Sequence, residues 1–172
     1  MRILAIDPGN IESAWVLFQK EKLSLREGVM FKIFSCGKEL NDEVLDKLAY
    51  EMSYDALAME EIVAYGKWSG REITDSAFWS GRFCQASTAP FTMINRSKVR
   101  WHLGGQKKVT DATIIERLIE RFCPGLYSKY KAGDLTKMKM INASRDEYFE
   151  NFHDDIWQAF ALGVTWYDLN VH

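Results

Sequence analysis

Arg2-Ile3-Leu4-Ala5-Ile6-Asp7-Pro8-Gly9 is the stretch on which the reading of this chain turns. It is a short apolar run that ends abruptly in a carboxylate, a proline and a glycine. Ile and Leu without polar alternation read as a strand buried on both faces. Pro8-Gly9 is turn chemistry and stops that strand at once. Asp7 therefore stands at the carboxyl end of a central strand. An ionised carboxylate there is costly unless it is compensated, and a metal ion is one way to compensate it. The alternative is a carboxylate that caps the turn.

A second apolar run, Ala56-Leu57-Ala58-Met59, ends the same way, in Glu60-Glu61. If the two runs are neighbouring parallel strands, Asp7 and Glu60 lie side by side, roughly 5 Å apart. Two carboxylates that close repel unless a divalent cation lies between them. A third acidic group, His153-Asp154-Asp155, opens the last helical segment. At about 100° per residue, Asp155 lines up with Ala159, Leu162 and Trp166, which aims it at the sheet. Asp154 falls nearer solvent. The alternative for both is an acid that complements a helix amino terminus.

Between these points the chain alternates. Ala14 to Gln19 reads as a strand that pairs with the first, and Val29 to Ser35 as a third, half-buried strand. Asn41 to Met52 has an amphipathic helical pattern. Residues 64 to 74 read as a loop, and Asp75 to Ser87 as a helix with Asp75 as its cap. Phe91 to Asn95 is a fifth strand. Thr110 to Phe122 is a clear helix, stopped by Cys123-Pro124-Gly125. Residues 126 to 142 read as a lysine-rich connection, and a last helix runs from about Arg145 to Asp168 with a break near Asn151. The expected fold class is α/β: a five-stranded mixed sheet, its first three strands antiparallel, flanked by helices. The 172 residues suit a single domain over 1–172.

Composition narrows the classes. The chain is 47% hydrophobic and 27% charged, with net charge −2. Global charge does not advertise nucleic acid, so such a site must come from a local basic patch. Residues 96 to 108 supply one: Arg96, Lys98, Arg100, His102, Lys107 and Lys108. Lys129, Lys131, Lys137, Lys139 and Arg145 form a second basic stretch, for which a solvated loop is the alternative. Cys36, Cys84 and Cys123 have no metal-site spacing and fit a reducing compartment. A core strand at the amino terminus and no long apolar run imply a cytoplasmic, membrane-free protein. No glycine-rich phosphate loop and no nucleophile elbow are present.

Ile6-Asp7-Pro8-Gly9 on the first strand, Ala58-Met59-Glu60 on the fourth and an Asp-Asp at the head of the last helix resemble the RuvC-type Holliday junction resolvases of the ribonuclease H-like superfamily, phage and bacterial members above all. The resemblance implies a ribonuclease H-like fold and a metal-dependent endonuclease that cleaves Holliday junctions or other branched DNA, including three-way and flap structures. It implies that Asp7, Glu60 and Asp155 hold two Mg²⁺ ions, with Mn²⁺ able to substitute, and that Asp154 is a further acidic candidate. Lys107 or Lys108 matches a lysine that the family carries before its third helix, and Lys108 is the catalytic candidate of the two. Tyr65 and Trp68 match aromatic residues that meet the junction centre. A homodimer is implied as well, because a four-way junction is two-fold symmetric; the helix from Asp75 is the candidate interface. One departure stands out. The family's last motif carries a second carboxylate three residues after the first, where this chain has Gln158. A neutral amide is the weaker ligand. That leaves open a degenerate protein that binds branched DNA and cuts it weakly, and a nuclease acting on RNA–DNA hybrids.

Overall fold

The computed structural model describes residues 1–21, 30–63, 70–105 and 109–171. Five strands form one mixed sheet: β1 (Arg2–Asp7), β2 (Glu12–Lys20), β3 (Phe31–Leu40), β4 (Ala56–Glu61) and β5 (Phe91–Asn95). Their order is β3-β2-β1-β4-β5. The first three strands are antiparallel, and β1, β4 and β5 are parallel to one another. Helices α1 (Asn41–Asp46), α2 (Arg71–Ala86), α3 (Arg96–Gly104), α4 (Asp111–Phe122), α5 (Pro124–Ala132), α6 (Lys137–Glu147) and α7 (Ile156–Asn170) flank it. Among the described residues no helix is long and apolar enough to cross a membrane.

The unbroken apolar run of β1 is explained by its central place. Ile3 and Ala5 face one core, with Val16, Phe18, Ala58, α4 and α7. Leu4 and Ile6 face the other, with Trp15, Leu57, Met59, Val44, Leu48 and Phe83. Successive strand residues point to opposite faces, so a strand covered on both sides needs apolar residues at every position. Helix α7 occupies the first face and is itself enclosed, with all its residues from Ile156 to Tyr167 buried except Gln158. Such a helix is apolar all round rather than striped. It sits close to the sheet because Gly163 lacks a side chain. A Cβ there would lie 2.5 Å from Cε1 of Phe18 and 2.9 Å from the Ala5 methyl.

Several expected boundaries move. The helix read from Asp75 begins at Arg71, with Gly70 rather than Asp75 as its cap, so the read loop is shorter. The helix from Asn41 tightens into α1 and then widens into a π-helical turn, Lys47–Glu51. The basic stretch from Arg96 is helical, capped by Asn95, whose side chain accepts a hydrogen bond from the Ser97 amide. The lysine-rich connection is two short helices, α5 and α6. Pro124 both stops α4 and starts α5, since its fixed φ and missing N–H suit a first turn. The break near Asn151 is a full interruption from Tyr148 to Asp155, with Asn151 at φ 65° and Asp154 at φ 39°. That interruption is anchored, not loose: Phe149 and Phe152 are fully buried against Trp157 and Phe160. Arg145 Nε also donates to the Phe152 carbonyl at 2.7 Å.

The close approach of α7 makes a stability prediction. Gly163→Ala forces the helix off the sheet or the Phe18 ring out of place, and overpacking of this kind costs about 1–3 kcal/mol. Thermal unfolding of the variant should show a clearly lowered midpoint; an unchanged midpoint contradicts the packing described.

Candidate active site

The parallel register of β1 and β4 pairs Ile6 with Met59, which sets Asp7 beside Glu60 at the carboxyl ends of both strands. Both carboxylates are buried, 9% and 8% exposed. They share the face on which α7 lies, because Asp7 follows Ile3 and Ala5 at period two, and Glu60 follows Ala56 and Ala58. Glu61, one residue on, is exposed.

The turn that ends β1 is fixed by a buried polar network. The Gly9 amide donates to Ser13 Oγ at 3.2 Å, Ser13 Oγ donates to Asn41 Oδ1 at 2.5 Å, and Asn41 Nδ2 donates to the Gly9 carbonyl at 3.1 Å. Ser13 and Asn41 are both buried. Gly9 is obligatory here, since a Cβ would be driven into the Glu12 carbonyl oxygen. These residues hold the backbone that presents Asp7. Sequence reasoning missed them because Ser13 and Asn41 are 28 residues apart and carry no joint motif.

The Asp7 and Glu60 side chains stand within hydrogen-bonding reach of each other. Burial pushes the Asp7 carboxyl well above the usual carboxylate range, and the hydrogen bond and charge of Glu60 push it further; the Arg96 cation opposes this and the Asp155 charge adds to it. Burial and Glu60 together disfavour the ionised form of Asp7. A hard divalent cation fits between the two carboxyl groups, because the donors are oxygens only.

Asp155 is the cap residue before α7, with helical backbone angles, and its partner in the sheet is Lys38 of β3. Its carboxylate accepts a hydrogen bond from Lys38 Nζ at 2.8 Å, and its side chain is 50% exposed. It remains near enough to act on Asp7 electrostatically. Asp154 is exposed and lies 3.2 Å from Nδ1 of His153. Gln158 is half-buried in the first turn of α7. Among the described residues, no three acidic, histidine or cysteine side chains stand close enough together to enclose an ion. The structure therefore brings Asp7 and Glu60 together and leaves Asp155 at their margin, held by Lys38.

The basic patch is partly spent on internal pairs. Arg96 stands 3.7 Å from Glu60 and 3.3 Å from Asp111, and Arg100 stands 3.0 Å from Asp111. His102 and Arg121 both grip Asp168, at 2.9 and 2.6 Å, tying α3 and α4 to α7. Burial raises the Asp168 carboxyl, but those hydrogen bonds override it and hold it below its ordinary value. Lys98 is exposed. Tyr65, Trp68, Lys107 and Lys108 lie outside the described residues. In the second stretch, Lys137 pairs with Glu116 at 3.1 Å and Lys131 lies over the Tyr127 and Tyr130 rings.

Neither a family model nor any curated protein matches the chain. Solved structures do. RuvC of Thermus thermophilus aligns with a TM-score of 0.62 at 13% identity, covering 98% of this chain and 96% of that one. The same protein in complex with a Holliday junction substrate gives 0.60 at 13% identity, with the same coverage. Fowlpox virus resolvase with its substrate Holliday junction DNA gives 0.53 at 15% identity over 100% of both chains. The chain has the ribonuclease H-like fold of RuvC.

The raised Asp7 carboxyl predicts a pH dependence. A carboxyl whose folded pKa is raised supports stability fully below its ordinary pKa of 3.8, and that support is lost as pH rises through the folded pKa. Asp7→Asn removes this loss. In chelator-treated buffer the variant should unfold near the wild-type temperature at acidic pH and several degrees above it at neutral pH. Melting curves across that range check it; a difference that does not change with pH contradicts the assignment.

Proposed function

We propose that this protein is a divalent-metal-dependent endonuclease of branched DNA, with four-way junctions as its main substrate class. The observation that carries the reading is the pair of buried, adjacent carboxylates, Asp7 and Glu60, at parallel strand ends of a RuvC-like fold. Fold alone does not carry function, but this pair is a local chemical feature with few other uses.

Asp7 and Glu60 would hold the ion, both as carboxylates. Asp155 reaches the same rim once it leaves Lys38, and Asp154 is an outer acidic neighbour. Mg²⁺ or Mn²⁺ bound there supplies Lewis-acid stabilisation of a phosphoryl oxygen and a more acidic water. The chain's own contribution is placement. The buried strand ends fix two ligands within a rigid sheet, and the enclosed amino end of α7 fixes the third near them. Lys98 is exposed for phosphate, and Arg100, Lys107 and Lys108 extend the basic stretch toward the same role, with Lys108 as the catalytic candidate. Tyr65 and Trp68, which follow Glu60 in the sequence, are proposed to stack on unpaired bases. The junction's symmetry favours a homodimer that pairs two such sites, each in a single domain, in the cytoplasm of a bacterial or phage-infected cell.

A second reading is favoured by a specific feature. Gln158 stands where a carboxylate would complete the ligand set, so a protein that binds junctions but nicks them poorly is the rival. Nicking of labelled four-way, three-way and flap substrates with Mg²⁺ or Mn²⁺ separates the two. Wild-type protein should cut the four-way junction. Gln158→Asp should raise the rate, and Asp7→Asn should lower it by about 10²-fold or more with junction affinity kept. Cleavage retained in Asp7→Asn overturns the role of that residue, while junction binding without cutting, rescued by Gln158→Asp, selects the rival.

A further inference from the structure

The carboxyl end of β1 belongs to a row that runs across the sheet. Asp7 pairs with Ala14, and Ala14 with Lys38. On the other side Glu60 pairs with Ile94, two residues before Arg96 opens α3. Partners in register share a face, so Lys38, Ala14, Asp7 and Glu60 all project toward the start of α7. Ala14 is the small spacer that leaves room above the sheet between Lys38 and the acids. The row therefore reads Lys38, Ala14, Asp7, Glu60, Ile94, with Arg96 of α3 reaching Glu60 from beyond Ile94 and Asp155 meeting Lys38 at the other end.

Both terminal cations are engaged. Lys38 donates to Asp155 at 2.8 Å from the edge strand β3, its side chain 24% exposed. Arg96 stands 3.7 Å from Glu60, and its other arm reaches Asp111, which Arg100 also holds. Three carboxylates, Asp7, Glu60 and Asp155, face two built-in cations.

We propose that Lys38 and Arg96 are resident counter-cations of this rim, holding Asp155 and Glu60 until a divalent ion exchanges with them. The inference rests on the reading of Asp7 and Glu60 as an ion site, and adds that the ion-free form is closed by its own side chains. Each cation has somewhere to go. Arg96 keeps Asp111 when it leaves Glu60, and Lys38 lies at an open sheet edge where its ammonium is released to water or to a DNA phosphate. The exchange forms and breaks no covalent bond. Its cost is the loss of two ion pairs and the approach of a dication to two nearby positive charges. Ion affinity in the DNA-free protein is set low by that cost. A backbone phosphate that draws off either cation raises it, which couples ion loading to DNA binding.

The test is a calorimetric titration of the DNA-free protein with Mn²⁺. Lys38→Gln and Arg96→Gln should each bind Mn²⁺ about threefold tighter or more. Arg117→Gln, exposed on α4 and outside the row, should match wild type. Asp7→Asn should bind weakly or not at all. Equal or weaker affinity in both Lys38→Gln and Arg96→Gln overturns the proposal while leaving the ion site standing. Absence of Mn²⁺ binding in wild type and in both variants overturns the proposal and the ion site together. Lys38 sits on an edge strand with a partly exposed side chain, so Lys38→Gln carries the test alone if Arg96→Gln does not fold.

Discussion

Two like charges held against each other at the end of a buried sheet are the constraint around which this molecule is arranged. Parallel pairing of β1 and β4 leaves Asp7 and Glu60 no choice but to be neighbours. Burial removes the water that would screen them. An uncompensated pair of this kind is costly, so something must take up charge: a proton, a cation of the protein or a cation from outside. The protein draws on the first two: the Asp7 carboxyl, raised by burial and by Glu60, takes up a proton more readily than a free one, and Arg96 leans in from the start of α3. That the arrangement is stable enough to fold follows from the apolar mass beneath it. Ile3, Ala5, Phe18 and the enclosed helix α7 form a core that does not depend on the rim.

The surrounding polar residues follow from the same constraint. Asp7 can only be a fixed group if the backbone after it is fixed, and Ser13 and Asn41 do this by closing hydrogen bonds around Gly9. Asn41 lies at the start of α1, so the far side of the sheet helps set the carboxylate. On the near side, Phe149 and Phe152 lock the segment between α6 and α7 and place Asp155. Asp168 then collects His102 and Arg121 at the other end of α7, which fixes the position of α3 and hence of Arg96. The site is held from several sides by contacts far apart in the chain.

The sheet and its paired acids were legible in the sequence because each is a local pattern. An apolar run that stops in a carboxylate names both a strand and its end, and helix α4 announces itself by its stripe of Ile114, Leu118, Ile119 and Phe122. What was not legible has physical causes. Helix α3 is hidden by its composition, since its charged residues leave only Val99 buried to mark the apolar side. Helices α5 and α6 are short and have one or two buried residues outright, so no period emerges. That Asp155 meets Lys38 of β3 was not legible, since no local pattern joins the two. The pairs Lys38–Asp155 and Arg96–Glu60 join residues 117 and 36 positions apart, beyond any spacing rule.

The likeness to RuvC therefore contributes less to the chemistry than the charges do. At 13–15% identity it establishes how the strands are wound and little about what their ends hold. The argument for an ion site comes from this chain alone. A buried acid pair that exists only to cap turns would not need a second strand to deliver its partner, nor an arginine split between that pair and a distant aspartate. Gln158 sharpens the point. An amide three residues after Asp155 adds no negative charge to a rim that already carries two internal cations. The electrostatic pull on an incoming dication is therefore weaker here than in a rim with a fourth carboxylate, and more of the binding energy has to come from elsewhere. The phosphates of a bound DNA strand are the one partner in the proposed reaction with the sign to supply it, since they attract Lys38 and Arg96 away from the acids and the dication toward them.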